Sequence, residues 1–128
     1  MKAIKQSVVF KASPKDVYGA LIDSKKHSKF TGDKAVISKK VGGKFTAFSG
    51  YAFGKNLKLV PGKKIVQSWS TTEWPNGAYS KATFDLKKTK TGTKLTFTQT
   101  GVPDKFYKDI KQGWITYYWK PMKKFLEK

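Results

Sequence analysis

From residue 34 to residue 101 the chain is a succession of period-two segments cut by tight-turn signals, a pattern that admits few folds other than an antiparallel meander. The segments fall near 34–39, 44–49, 51–60, 63–72, 79–88 and 93–101. Between them stand Gly42-Gly43, Gly50, Pro61-Gly62, Pro75-Asn76-Gly77 and Lys90-Thr91-Gly92. Glycine, proline and asparagine supply the backbone angles that turns require, and links this short join neighbouring antiparallel strands. One phase of the segments is apolar: Tyr51, Phe53, Leu57 and Leu59, then Ala82, Phe84 and Leu86, then Leu95 and Phe97. Lysine and threonine fill the other phase. Such a sheet can leave one face in water, and its apolar face needs a cover.

The flanks of the meander supply that cover. Residues 4 to 12 alternate, with Ile4, Val8, Phe10 and Ala12 in one phase, and predict a first strand. Ser13-Pro14 stops it and opens a helix, with Ser13 as cap, Pro14 at the first helical position and Asp16 in the first turn. Val17, Tyr18, Leu21 and Ile22 follow at helical spacing. Asp23-Ser24 then caps a second short helix through His27 to Phe30, and Thr31-Gly32-Asp33 turns the chain into the sheet. After Val102-Pro103, with Asp104 as cap, Ile110, Trp114, Tyr118, Met122 and Phe125 recur every three or four residues. That stripe predicts a long C-terminal helix lying across the sheet. Pro121 lacks a backbone donor, so a kink or break is expected there.

The order strand, two short helices, six strands, long helix predicts an α+β helix-grip fold: a curved antiparallel sheet around a long C-terminal helix, with two short helices after the first strand. At 128 residues, without repeat or linker, the chain reads as a single domain over 1–128. No apolar run is long enough for a signal peptide or a membrane span, so a cytoplasmic protein with no membrane insertion is expected. A monomer is expected as well.

The formal net charge of +19 raises the question of nucleic acid. All 27 basic residues are lysines, however, and they are scattered, with no run longer than a pair such as Lys39-Lys40 or Lys87-Lys88. Groove readers favour the bidentate guanidinium of arginine. A solvated basic surface is expected, with weak binding to nucleic acid or anionic surfaces as an alternative function and no specific nucleic-acid partner.

Catalytic and metal-binding signatures are sparse. There is no cysteine and one histidine, His27, which is expected at a surface or helix end, and no metal site is expected. Glu73, between Trp69 and Trp74, is the carboxylate best placed for acid–base work, and a structural role is expected of it. A cyclase- or hydrolase-type enzyme using Glu73 or His27 is the alternative class. Gly42-Gly43-Lys44 lacks phosphate-loop spacing, and no cofactor is implied. What remains is a set of large aromatics, which in a sheet curved around a helix either fill the interior or line an apolar cavity for a small hydrophobic ligand. The expected lining is Trp69, Phe84, Phe97, Gln99, Trp114 and Tyr118, with Gln67, Gln99 and Tyr118 supplying polar groups.

Five stretches, in order, carry a family resemblance. They are Gly42-Gly43-Lys44-Phe45; Leu57-x-Leu59-Val60-Pro61-Gly62-Lys63-Lys64-Ile65-Val66-Gln67-Ser68-Trp69; Trp74-Pro75-x-Gly77; Thr98-Gln99-Thr100-Gly101-Val102-Pro103; and Gln112-Gly113-Trp114-x-x-Tyr117-Tyr118-Trp119. Together they resemble the activator of heat-shock protein 90 ATPase homologue family, within the START-like superfamily. The resemblance covers nearly the whole chain. It implies the helix-grip fold, Trp114 and Tyr118 as lining residues, no catalytic residue, and a heat-shock chaperone as partner in the stress response. A non-enzymatic binding module, for a small hydrophobic ligand or for such a chaperone, is the function expected.

Overall fold

Alternation at the start of the chain places Ile4 and Phe10 on one side of strand β1 (Ile4–Phe10), both fully buried, with Lys5, Ser7 and Val9 outside. In the computed structural model, which describes residues 3–127, β1 lies at one edge of a seven-stranded antiparallel sheet. The other strands are β2 (Val36–Ile37), β3 (Lys44–Ala47), β4 (Ala52–Val60), β5 (Lys64–Thr71), β6 (Ser80–Lys88) and β7 (Thr93–Thr100). The spatial order is β1-β7-β6-β5-β4-β3-β2: β2 to β7 form the meander, and β1 pairs with β7.

Helices α1 (Pro14–Ile22) and α2 (Ser24–Thr31) begin and end where their caps dictate. The Ser13 hydroxyl accepts from the Asp16 N–H and the Asp23 carboxylate from the Lys26 N–H, which satisfies donors that a helix start leaves open. Gly32, at φ 78°, closes α2 in the left-handed conformation.

The C-terminal helix is irregular, as the proline led one to expect, but its irregularity lies elsewhere than at Pro121. Asp104 makes no capping hydrogen bond; it opens a 3-10 turn (Asp104–Phe106), and Pro103 stands at the cap, its carbonyl taking the Phe106 N–H. Helix α3 (Tyr107–Trp114) follows, then a π-turn (Ile115–Trp119) and α4 (Lys120–Leu126). The expected break at Pro121 is replaced by this π-turn, which ends two residues upstream at Trp119. There the Lys120 N–H reaches back five residues to the Ile115 carbonyl, and the wider turn relieves the crowding that a proline ring imposes on the preceding turn. At the α-to-π junction the Ile115 N–H goes to the Gln112 carbonyl, and the Lys111 carbonyl accepts from Nε2 of Gln6 on β1 at 2.9 Å. Oε1 of the same glutamine accepts from the Trp119 indole at 2.7 Å, tying helix to sheet edge.

In β4 the expected apolar phase is reversed. Ala52, Gly54 and Asn56 face the interior, whereas Phe53 packs against Tyr79 on the outer side and Leu57 is 49% exposed. Gly54 pairs with both Phe45 and Trp69, and the Ser68 carbonyl and the Phe45 ring occupy the space a side chain would need. A bulge between Asn56 and Lys58 then shifts the register, which changes the facing of all that follows. Asn56 itself is fully buried and satisfied: Nδ2 donates to the carbonyls of Ser38 (2.7 Å) and Lys40 (3.1 Å), and Oδ1 accepts from Gln67 (3.1 Å).

The core lies between the concave face of the sheet and the helices. Ile110, Trp114, Tyr118 and Met122 of the C-terminal stripe are buried against Phe84, Leu95 and Phe97. Each such large side chain taken out of water contributes on the order of 1.5–3 kcal/mol. No helix among the described residues is long and apolar enough to cross a membrane.

Candidate functional site

The β3–β4 hairpin tip does not use glycine throughout, although its geometry calls for it. Phe48 and Ser49 sit at φ 54° and 56° and Gly50 at 96°, three consecutive residues with positive φ. For a bulky side chain the left-handed region costs of order 1–2 kcal/mol. The turn is held by the Ser49 N–H donating to the Lys34 carbonyl (2.9 Å) and the Gly50 N–H to that of Ala47 (3.2 Å). Its consequence is to set the Phe48 ring over the C-terminal helix, 6.0 Å from the Tyr117 ring and 5.6 Å from that of Tyr118.

Beneath Phe48 opens a groove of about 670 Å³, within the roughly 300–1,000 Å³ usual for small-molecule sites. One wall is Phe48, Tyr51 and Trp69, from the hairpin and β5. The opposite wall is helix and π-turn: Asp109, Ile110, Gly113, Trp114, Tyr117 and Tyr118. Thr31 and Asp33, at the end of α2, close one side. Both walls carry irregular backbone, positive φ on one and a π-turn on the other, and such features concentrate at functional sites.

Tyr51 donates its phenol proton to Glu73 at 2.7 Å. Burial first, and then that hydrogen bond, push the Tyr51 phenol above its ordinary pKa. Glu73 is therefore exposed and linked to the groove through Tyr51.

His27 is not at the surface as expected but 5% exposed, beneath the groove floor. Nδ1 lies 3.1 Å from the Leu21 carbonyl, which can only accept, so this nitrogen carries the proton. Nε2 is then bare and accepts from the Tyr118 phenol at 3.0 Å. Burial lowers the His27 pKa to about 4, and burial also pushes the Tyr118 phenol well above its usual value. The imidazole is neutral, with both nitrogens engaged, and it borders only a void of about 10 Å³, roughly the room for one water.

The expected cavity-lining residues separate into groups. Trp69, Trp114 and Tyr118 border the groove. Phe84, with Gln67, borders the small void beside His27. Phe97 is packed at 4.3 Å from the Trp114 ring. Gln99 is fully buried, accepting from the Trp114 indole at 2.7 Å and donating to the Ser80 hydroxyl at 2.9 Å. Between sheet and helix, then, side chains fill the space, and the large opening lies to one side, toward the hairpin tip. Phe48, Asp33, Asp109 and Tyr117 were beyond sequence reasoning. The one trace of them is Tyr117, adjacent to the stripe residue Tyr118.

A second groove of about 670 Å³ lies where β4–β5 and β6–β7 turn, and it differs in charge: Lys63, Lys64, Lys87 and Lys88 line it with Asp85. No group of three or more His, Asp or Glu residues able to hold a metal occurs among the described residues.

Comparison with known proteins gives a consistent result. A model of the family described as Activator of Hsp90 ATPase homolog 1-like protein matches residues 11–127. The Activator of 90 kDa heat shock protein ATPase homolog from Dictyostelium discoideum is 32% identical over 114 residues, covering 88% of this chain and 30% of that protein. Human Activator of 90 kDa heat shock protein ATPase homolog 1 is 30% identical, covering 89% of this chain and 34% of its own length. The chain spans about a third of the length of these curated relatives. The crystal structure of an HSP90 activator from Plasmodium falciparum superposes with a TM-score of 0.91 at 25% identity, covering 99% of this chain and 97% of that one. The solution structure of an Aha1 dimer from Colwellia psychrerythraea shares the fold, with a TM-score of 0.86 at 22% identity and coverage of 99% and 97%.

Proposed function

Because this chain belongs to the Activator of Hsp90 ATPase homolog 1-like family, we propose that it is a binding domain for an Hsp90-type chaperone and has no bond-making chemistry of its own. The observation that carries this reading is the family match, which runs almost unbroken along the chain. The same reading puts it in the cytosol, in the stress response, with the monomer as working unit. Its net charge of +19 favours a partner surface that is acidic, which steers association and makes it fall with salt.

The test is association with the Hsp90 of the same organism, followed by calorimetry and by the chaperone's ATPase rate at low and physiological salt. Saturable, salt-sensitive binding is expected. A chaperone that neither binds the chain nor changes its ATPase rate, up to the solubility limit, would remove the reading.

A second reading is supported by the groove: a site for a small, largely apolar ligand, with Trp69, Trp114 and Tyr118 among its walls. Its size and aromatic lining support this. Phe84, Phe97 and Gln99 then act behind that wall, by holding Trp114 in place. Mass spectrometry of the protein under native conditions, as purified from its host, is expected to show a retained small molecule, and only bare protein there counts against the reading.

A further inference from the structure

We propose that the groove beside the C-terminal helix selects a small lipophilic organic cation: an apolar or aromatic body bearing an ammonium-type positive charge. This rests on the reading of the groove as a ligand site and specifies its chemistry.

The charge distribution carries the inference. Lysine makes up 27 of 128 residues, yet no lysine lines this groove, while four line the other groove of equal size. The chain has only eight acids. Two of them, Asp33 and Asp109, line the groove, and a third, Glu73, is attached to its wall through the Tyr51 hydroxyl. Among the described residues the salt bridges are Lys39–Asp23 and Lys64–Asp85, so none of these three acids has a lysine partner. The Asp33 carboxylate takes only a 3.4 Å hydrogen bond from the Ser49 hydroxyl.

The aromatic walls complete the match. Phe48, Tyr51, Trp69 and Tyr117 line it with aromatic rings, and the negative quadrupole of a ring face attracts an organic cation, an attraction that grows when water is excluded. Tyr117 is 57% exposed at the rim of the groove, its ring 6.0 Å from that of Phe48. An anion, favoured over most of this surface, would find two carboxylates and no lysine here. The positive field of the whole chain opposes a cation only at range, because physiological salt screens it over about 8 Å. At contact the local acids and rings decide.

The experiment compares three probes of similar size: benzyltrimethylammonium, neutral 4-tert-butylbenzyl alcohol and anionic 4-tert-butylbenzoate. Each is titrated into the full chain with indole fluorescence and NMR shifts as readout, since Trp69 and Trp114 line the site. The cation is expected to bind at least about tenfold tighter than either other probe. In the Asp33→Asn, Asp109→Asn double variant, checked for unchanged thermal unfolding, its affinity falls to that of the alcohol while the alcohol is unaffected. Equal or tighter binding of the alcohol overturns the cation preference and leaves the groove as an apolar site. Tighter binding of the benzoate overturns it too. Failure of all three to bind overturns both this inference and the ligand-site reading beneath it.

Discussion

Tyr118 of the C-terminal helix and His27 of α2, 91 residues apart in sequence, share one buried hydrogen bond of 3.0 Å, in which the phenol donates to Nε2. Because Nδ1 is committed to the Leu21 carbonyl, protonating the ring would place a second donor against the Tyr118 hydroxyl and a charge in a dry interior. Both effects resist protonation, in keeping with a pKa lowered to about 4 by burial.

That relationship makes the fold acid-sensitive. The unfolded chain takes up the proton near the usual value of about 6.5 and the folded chain only near 4. The stabilisation by neutral His27 is therefore intact above pH 6.5 and is lost as pH falls toward 4, for a total of roughly 3 kcal/mol. Chemical denaturation from pH 7.5 to 4 should show this slope. His27→Gln, which keeps one donor and one acceptor, should flatten it at some cost in stability at pH 7.5. An identical slope in the variant would rule out His27 as its source.

A second buried relay fixes Trp114, the indole at the centre of the aromatic core. The indole donates to Gln99 (2.7 Å), Gln99 to Ser80 (2.9 Å), and Ser80 to the Trp69 carbonyl (2.8 Å). Gln99→Leu keeps approximate volume but strands the indole N–H of a residue that is 2% exposed. A buried donor without a partner costs about 1–3 kcal/mol, so unfolding midpoints should drop accordingly and the tryptophan emission should shift. Gln99→Glu would restore an acceptor only by burying a charge, and should be worse.

Gly54 is required for its lack of a side chain. A Cβ there would overlap the Ser68 carbonyl of the neighbouring strand and come within 2.9 Å of the Phe45 ring. The main chain cannot move aside without breaking the β4–β5 ladder. Gly54→Ala is expected to cost about 3 kcal/mol, measurable as a loss of thermal stability or of soluble yield. Gly77→Ala, in a turn with open space around the position, should cost less despite its positive φ. Equal losses at the two sites would refute the steric account.

How much of this was legible in the sequence depended on how local its cause was. Ser13, Pro14 and Asp23 act within three or four residues, and the helices they cap begin where the sequence places them. The meander followed from its turns, and the stripe from Ile110 to Met122 from helical periodicity. The facing of β4 did not, because the Ser68 carbonyl and the Phe45 ring, on adjacent strands, fill the space over Gly54 and a bulge resets the phase beyond Asn56. His27 looked like a surface residue because the phenol that satisfies it is far away in the chain. The groove was hidden for a similar reason: α2, the hairpin tip, β5 and the π-turn each contribute only part of its wall.

The hairpin tip supplies the last prediction. Ser49 is exposed and at φ 56°, so its side chain gains little from the turn and adds left-handed strain. Glycine removes that strain, of order 1 kcal/mol, and returns part of it as extra freedom in the unfolded chain. Ser49→Gly should therefore raise stability by about 0.5 kcal/mol, whereas Ser49→Pro, which cannot adopt this φ and loses the N–H donated to Lys34, should destabilise severely. If strain at the tip serves to hold Phe48 over the groove, the glycine variant will also bind groove ligands more weakly, because the same freedom loosens Phe48. A gain in stability with undiminished ligand affinity would separate the strain from the site.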